Sequence, residues 1–434
     1  MSRNRNPKIE ILNWKNLQPR TTDRKGSNCA FLFSFFHVFL SFYKHNLTER
    51  LRDEYARQAM EPDVSLSWLA LTLTHGLAAR LAGRLLQKFG SPEGVFRASL
   101  TELEACNLPA PVAQALFQKE GFGRAEKELA AVQKLGCRLI NWTEPEYPRT
   151  LLEIYDPPVL LYVRGDAQVL NCAAIGIVGT RRPTFYGTQM AERLGRDLAV
   201  RGLVIVSGMA RGIDALAHQG ALSAPGGRAV GVLGTGIDVV YPKEKKKLYE
   251  RVLEHGALIS EFPLGAHPAP ENFPVRNRIV AGIPLGIVVV EGAQYSGSLI
   301  TSRLAMEFGR EVFGVPGNVT QAVSFAPNLL IKQGAKLVTG ADDVIEELPT
   351  PVRAALVGAM QPEDGQQNLL VAASLNESER KIYELLSADE PMPIDDIVER
   401  SGLNSSVVLA TLFDLEMKGI VRQIPGKQFS KVLL

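Results

Sequence analysis

The chain has 434 residues, 46% of them hydrophobic and 22% charged, and a formal net charge of +2. This content excludes a disordered or fibrous chain and suffices for two or three domains with buried cores. The near balance of charge excludes a protein drawn to polyanions by its overall field, so any basic surface must be local.

Cys29, Cys106, Cys137 and Cys172 form no CxxC pair, which argues against a zinc ribbon or a disulfide scaffold and fits a reducing cytoplasm. Residues 29–43, CAFLFSFFHVFLSFY, follow a basic amino terminus. They are shorter than the roughly 20 residues a helix needs to cross a bilayer, and no small-residue cleavage site follows. Globular patterning starts near Met60, itself a candidate initiator. Residues 1–59 are therefore read as a non-native or disordered N-terminal extension; a membrane tether is the alternative, and no stable membrane association is expected.

Residues 60–140 read as a small helical module of helix-hairpin-helix or similar type. Apolar residues recur at helical spacing in WLALTLTHGLAARLAGRLLQKFG and LTELEACNLPAPVAQALF, with turns at Gly90-Ser91-Pro92 and Pro109-Ala110-Pro111. Leu108-Pro109-Ala110 stands where a hairpin that binds nucleic-acid backbone usually offers glycines, so packing is the plainer role. From Tyr147-Pro148 through Asp156-Pro157-Pro158 to LLYVRGD the chain reads as extended and turn-rich. Within residues 141–348, AAIGIVG, LVIVSG, AVGVLG, ALIS, GIVVVEG and EVFGVPG alternate with helical runs. That rhythm predicts an α/β fold, a doubly wound Rossmann-like parallel sheet with crossover helices. Residues 349–374 read as a linker, and 375–434 as helix, helix, helix and a two-stranded wing, a winged-helix domain.

The glycine-rich and polar clusters all follow strands. Gly179, Thr180, Arg181 and Arg182 follow the first, Ser207, Gly208 and Arg211 the second, Gly234 and Gly236 the third, and Ser296, Gly297 and Ser298 the strand ending at Glu291. In an open parallel sheet the carboxyl ends share one edge, so these loops converge on one crevice. There glycines permit close backbone approach, and helix starts offer free N–H groups to an anion, naturally a phosphate. Any one such loop is more often only a turn; four together carry the inference. No GxGxxG or GxxxxGK[ST] fingerprint follows the first strand, which weakens dinucleotide and ATP readings.

Arg181 and Arg182 carry the guanidinium fork suited to phosphate, with a surface ion pair as the bland reading of Arg182. Arg211, Asp214 and His218 are spaced to share a helix face; Asp214 and His218 are read as positioning residues rather than an acid–base pair. Phe273, Arg276, Asn277 and Arg278 interleave an aromatic with donors, as in a groove that tracks a single strand; in the plainer reading Phe273 is core and Asn277 a helix cap. The run Lys243, Lys245, Lys246 and Lys247 is read as a solvated face, and in the plainer reading Ser298 is a helix cap.

At these residues the chain resembles the DNA processing protein A (DprA/Smf) family: GTRR, SGMARGIDALAH, GTGIDVVYP, ENFPVRNRIVAG, SGSLITSRLAMEFGREVFGVPG and LLIKQGA occur in the family's order over residues 147–345. The resemblance implies an extended Rossmann-like domain that binds single-stranded DNA, forms a homodimer and loads the RecA recombinase on DNA entering during natural transformation. It implies no catalytic residue, metal or cofactor. Carried over by motif, the phosphate-pocket residues are Arg181, Ser207, Gly208, Arg211, Asn277, Arg278, Ser296, Gly297 and Ser298. Lys245 replaces the usual Asn of YPxxN, and Ala326-Pro327-Asn328 a glycine-containing GxN.

The sequence admits two other functions. The α/β domain is similar to lysine-decarboxylase-like nucleotide phosphoribohydrolases, in which Glu291 and Arg181 would act near a nucleotide phosphate, although PGGxGTxxE is replaced by EGAQYSGSLIT. A winged helix reading duplex sequence would make a transcription regulator. Its third helix, SSVVLATLFDLEMKG, has few cations, which favours protein contact.

Overall fold

A computed structural model describes residues 62–357, 375–387 and 391–432. The expected 1–59 extension, with its apolar stretch and Cys29, and most of the expected linker lie outside the described residues. Among the described residues no helix is long and apolar enough to cross a membrane.

Six helices open the described chain: α1 (Pro62–Thr72), α2 (Ala79–Phe89), α3 (Pro92–Arg97), α4 (Leu100–Glu104), α5 (Ala110–Phe117) and α6 (Phe122–Leu135). Ser91 caps α3 by accepting from the Gly94 N–H, and Ser99 with Glu102 forms a capping box on α4, so short segments hold helical form because their end donors are satisfied. Their core, which includes Leu69, Leu85, Leu103 and Leu116, runs without a break into Tyr162, Leu233 and Leu258 of the sheet that follows.

That sheet has nine strands: β1 (Arg138–Asn141), β2 (Leu160–Gly165), β3 (Ala174–Val178), β4 (Val204–Ser207), β5 (Ala229–Leu233), β6 (Gly256–Ser260), β7 (Gly286–Val289), β8 (Glu311–Gly314) and β9 (Lys336–Leu337). Their spatial order is β1-β2-β6-β5-β4-β3-β7-β8-β9. From β6 to β9 all neighbours pair in parallel, while β2 and β1 extend the edge antiparallel. The segment expected to be merely extended and turn-rich thus supplies β2 and a short 3-10 turn, Arg149–Glu153. Helices α7 (Phe185–Val200), α8 (Ile213–Ala221), α9 (Lys246–His255), α10 (Asn272–Gly282), α11 (Gly297–Glu307) and α12 (Phe325–Lys332) fall between successive strands.

Every residue of β3 to β7 is buried, the signature of strands covered on both faces. Side chains alternate between two layers. Ile175, Ile177 and Ile205 pack with Met190, Leu194, Ile213 and Ala217 of α7 and α8. Val204, Val206, Val230 and Val232 pack with Ile279, Leu299 and Leu330 of α10, α11 and α12. From β3 the chain winds outward through β4, β5 and β6, then returns to lay β7 on the other side of β3. The strand order therefore reverses between β3 and β7, the position where open α/β sheets hold ligands.

After α13 (Ala341–Glu346) and α14 (Thr350–Val357), a winged helix closes the described chain. Helices α15 (Glu377–Leu385), α16 (Ile394–Ser401) and α17 (Ser405–Met417) enclose their own core of Ile382, Ile397, Val408 and Leu412. The wing is β11 (Val421–Ile424) with β12 (Gln428–Lys431), and β10 (Met392–Pro393) adds a third strand. Buried Glu379 caps α15 and accepts from Lys418 Nζ at 2.7 Å, tying the first helix to the end of the third.

Two glycines set the spacing of α7 and α8, which begin at the loops after β3 and β4. A Cβ on Gly195 would lie 2.3 Å from the Ala217 carbonyl oxygen, and one on Gly220 2.1 Å from that of Glu192. In an unobstructed helix Gly→Ala stabilises by about 1 kcal/mol. Here Gly195→Ala and Gly220→Ala are each expected to destabilise by roughly 1–3 kcal/mol through overpacking, measured by urea unfolding.

Candidate functional site

The loops after β3, β4, β5 and β7 meet at the switch point. They border an open crevice of about 980 Å³ lined by residues that include Gly179, Arg181, Arg182, Gly208, Phe273, Arg276, Asn277, Ser296, Gly297 and Ser298. A narrow recess of about 30 Å³ shares Arg181, Gly208, Phe273 and Arg276 with the crevice and adds Arg211 and Gly234. Ten residues expected from scattered motifs therefore line one opening. Ser207, Gly236 and Arg278 do not.

The floor is built around Arg276, which is 4% exposed. Its Nη1 donates to the Val232 carbonyl oxygen at 2.7 Å. A Cβ on Gly208 would lie 1.9 Å from Nη1, so only glycine lets the β4 loop pass over this guanidinium. Beside it, the buried Asp214 carboxylate accepts from the Gly208 N–H at 3.1 Å. Burial pushes the Asp214 carboxyl up while Arg276 pulls it down, and burial pulls the Arg276 guanidinium down while Asp214 holds it up. Each charge is tolerated because of the other. Arg276 Nε is buried and has no hydrogen-bond partner among the described residues, so the guanidinium is held by Nη1 and by the neighbouring charge of Asp214. Met209, between them, is buried with φ of 55°, a backbone state that non-glycine residues hold only where surroundings impose it.

Arg181 and Arg182 stand exposed after β3. Arg181 lies over the Phe273 ring, 5.6 Å from its centroid, and no carboxylate among the described residues pairs with either arginine. Phe273 packs on the bare face of Gly234 and against Tyr241, with ring centroids 5.8 Å apart. It is half-buried, so it is both a packed residue and a crevice wall. Asn277 lies inside α10 and faces the crevice instead of capping a helix. On the far wall Ser296, not Ser298, caps α11: its Oγ accepts from the Ser298 N–H at 3.2 Å.

Four expectations change. Arg278 is held on the opposite side of α10, bidentate to Glu261 at 2.7 and 2.6 Å and bonded to the Asp156 carbonyl oxygen at 3.0 Å. Two residues on a helix face nearly opposite ways, so Arg276 and Arg278 cannot share one wall. The Ser207 hydroxyl donates to the Ile177 carbonyl oxygen at 2.6 Å inside the sheet. Gly236 lies under the Pro263–Gly265 turn, where a Cβ would meet the Pro263 carbonyl oxygen at 2.6 Å. Arg211 reaches the recess but is paired with Glu244, and it precedes α8 instead of sharing its face with Asp214 and His218. Lys243, Lys245, Lys246 and Lys247 line neither cavity.

Glu291, at the end of β7, is 3% exposed. Its carboxylate accepts from the Thr184 N–H at 2.9 Å and from the Thr184 hydroxyl, and Thr184 in turn caps α7. This carboxylate positions the loop that carries Arg181 and does not line the crevice. Three crevice aromatics were not among the expected site residues: Tyr241 and Tyr295, although they lie in GTGIDVVYP and EGAQYSGSLIT, and Phe325. Nothing in local sequence distinguishes a rim aromatic from an ordinary loop residue.

Residues 138–349 match the family DNA recombination-mediator protein A, and residues 370–427 match the DprA winged helix domain. The chain is 42% identical to DNA processing protein DprA of Bacillus subtilis (strain 168) over 229 residues, 52% of this chain and 77% of that protein. It is 38% identical to Protein Smf of Escherichia coli (strain K12) over 304 residues, 69% of this chain and 79% of that one. The X-ray structure of DNA processing protein A from Streptococcus pneumoniae is similar with a TM-score of 0.58 and 34% identity, covering 64% of this chain and 96% of that one.

Two outcomes are expected from the buried charges. Arg278→Ala strands Glu261 and Asp156 and should destabilise by about 3 kcal/mol or more, against less than about 0.5 kcal/mol for exposed Arg181→Ala; chemical unfolding measures both. His218, fully buried beneath the β4 loop, has its pKa pulled down to about 4 by burial. It is neutral when folded and protonates near 6.5 when unfolded, so stability falls as pH drops from 6.5 to 4. His218→Gln should make that acid limb shallower by about 3 kcal/mol. Asp214, raised by burial, acts in the opposite sense in both proteins.

Proposed function

This chain belongs to the DNA recombination-mediator protein A family, DprA/Smf, and we propose that it binds single-stranded DNA in the crevice at the β3–β7 switch point. The observation that carries this reading is Arg181, an exposed guanidinium over the face of Phe273 with no carboxylate partner among the described residues. A cation beside an aromatic face suits a strand whose phosphates and unstacked bases are both accessible. A duplex keeps its bases stacked and would leave Phe273 without a partner.

Phosphate contacts come from Arg181, Arg182 and Arg276, with Gly179 and Gly208 allowing close backbone approach, Asn277 as a neutral donor, and Ser296, Gly297 and Ser298 at the start of α11. Arg211 joins them when its pairing with Glu244 yields. In this reading the strand is held through its phosphates and by stacking on its base faces, so affinity without strong base preference is expected. Family membership supports the further steps: a homodimer in the cytoplasm protects incoming DNA and loads the RecA recombinase during natural transformation. The phosphoribohydrolase alternative gains nothing from the geometry, since the Glu291 carboxylate is bonded to Thr184.

The test is binding of the full chain to a fluorescent oligothymidine and to a matched duplex across a salt series. Arg181→Ala should weaken single-strand affinity and lower the slope of log K against log salt by about 0.7, one phosphate contact on a single strand. Unchanged affinity and slope would overturn the proposed phosphate crevice.

A further inference from the structure

The crevice has a second aromatic wall. Tyr295, on the loop between β7 and α11, is 93% exposed, with no ring contact, hydrogen bond or ion pair among the described residues. Phe325 at the start of α12, 40% exposed, and Ile300, 45% exposed, line the same crevice. An aromatic side chain carries about 150–250 Å² of surface that proteins ordinarily bury.

The loop beneath Tyr295 is held firmly. The Gly292 N–H donates to the Val323 carbonyl oxygen at 2.6 Å, the Ala326 N–H to that of Gly292 at 2.8 Å, and the Ser296 N–H to that of Ala293 at 3.0 Å. Ser296 also caps α11. Tyr295 is thus presented from a braced support, in the crevice and without a protein partner.

We propose that Tyr295, on the crevice wall that Phe325 also lines, is a second base-stacking platform, so that the crevice grips two separate bases of one strand. The inference rests on the reading of the crevice as a single-strand site. Phe273 packs on the loop after β5 and Tyr295 stands on the loop after β7. The sheet order places three inter-strand steps between those strands, about 14 Å at 4.7–4.9 Å per step. Neighbouring stacked bases are about 3.4 Å apart along a strand, so supports three strands apart suit two non-adjacent bases of one strand. Arg181 and Arg182, on the β3 loop between them, are placed for the intervening phosphates. A mononucleotide offers one base to two platforms, whereas a short single strand offers one to each.

The test compares full-chain Tyr295→Ala and Arg181→Ala on oligothymidine and on an abasic oligomer of equal length, which keeps the phosphates and lacks the bases. Tyr295→Ala should weaken oligothymidine binding roughly five- to a hundred-fold, the range carried by one base–aromatic stack. Its affinity for the abasic oligomer and its salt slope should stay within about twofold of the parent; Tyr295→Phe should restore most of the loss. Arg181→Ala should weaken both ligands. Equal losses on both ligands, or none on either, in Tyr295→Ala while Arg181→Ala remains weakened would overturn the platform and leave the phosphate crevice standing. Failure of the parent chain to bind oligothymidine would overturn both.

Discussion

The contact on which the site depends is the buried Arg276 guanidinium, wedged between the ends of β4 and β5 against Gly208 and the Val232 carbonyl oxygen. An arginine in that place must be neutralised, and Asp214 does so from the first turn of α8. The same carboxylate accepts from the Gly208 N–H, so the charge that offsets Arg276 also shapes the β4 loop. A cation fixed in a low-dielectric floor acts on an anion above it with less screening than a surface lysine. It also needs no reorganisation when the anion arrives.

Around that floor the arginines divide by whether the protein has already neutralised them. Arg278 is held by Glu261 and Asp156, Arg310 by Glu153, and Arg211 by Glu244. Arg181 and Arg182 have no such partner among the described residues. The local positive field of the crevice is therefore set by pairing and not by the number of basic residues. This is why a formal charge of +2 over the chain is compatible with a phosphate-binding crevice.

The same distinction explains what was legible beforehand. The parallel sheet was readable because strands buried on both faces leave continuous apolar runs, and the convergence of the loops followed from the topology of such a sheet. Arg276 and Arg278 both lie in ENFPVRNRIVAG, and helical geometry alone puts them on different faces. Which face meets the crevice depends on Asp156 and Glu261, and Asp156 is 122 positions away from Arg278. Ser207 was misplaced for a similar reason: its hydroxyl answers a carbonyl of the neighbouring strand. Tyr295 and Phe325 left no pattern, because an exposed rim residue obeys neither strand nor helix periodicity.

Glu291 shows how this sheet edge is used. In a nucleotide-processing enzyme, a carboxylate at the end of a central strand would be placed to meet the substrate. Here it faces Thr184, and a Cβ on Gly187 would come within 2.2 Å of its Oε2. Thr184 caps α7 and ends the short loop that begins at Gly179. The carboxylate consequently fixes the span that holds Arg181 over Phe273. On the other side of the crevice, Ser296 and the backbone bonds of Gly292 and Ala326 fix the loop that presents Tyr295. Rigid supports on both walls, with unneutralised cations between them, favour holding a flexible strand: the ordering cost falls on the ligand, and the protein has little further to lose.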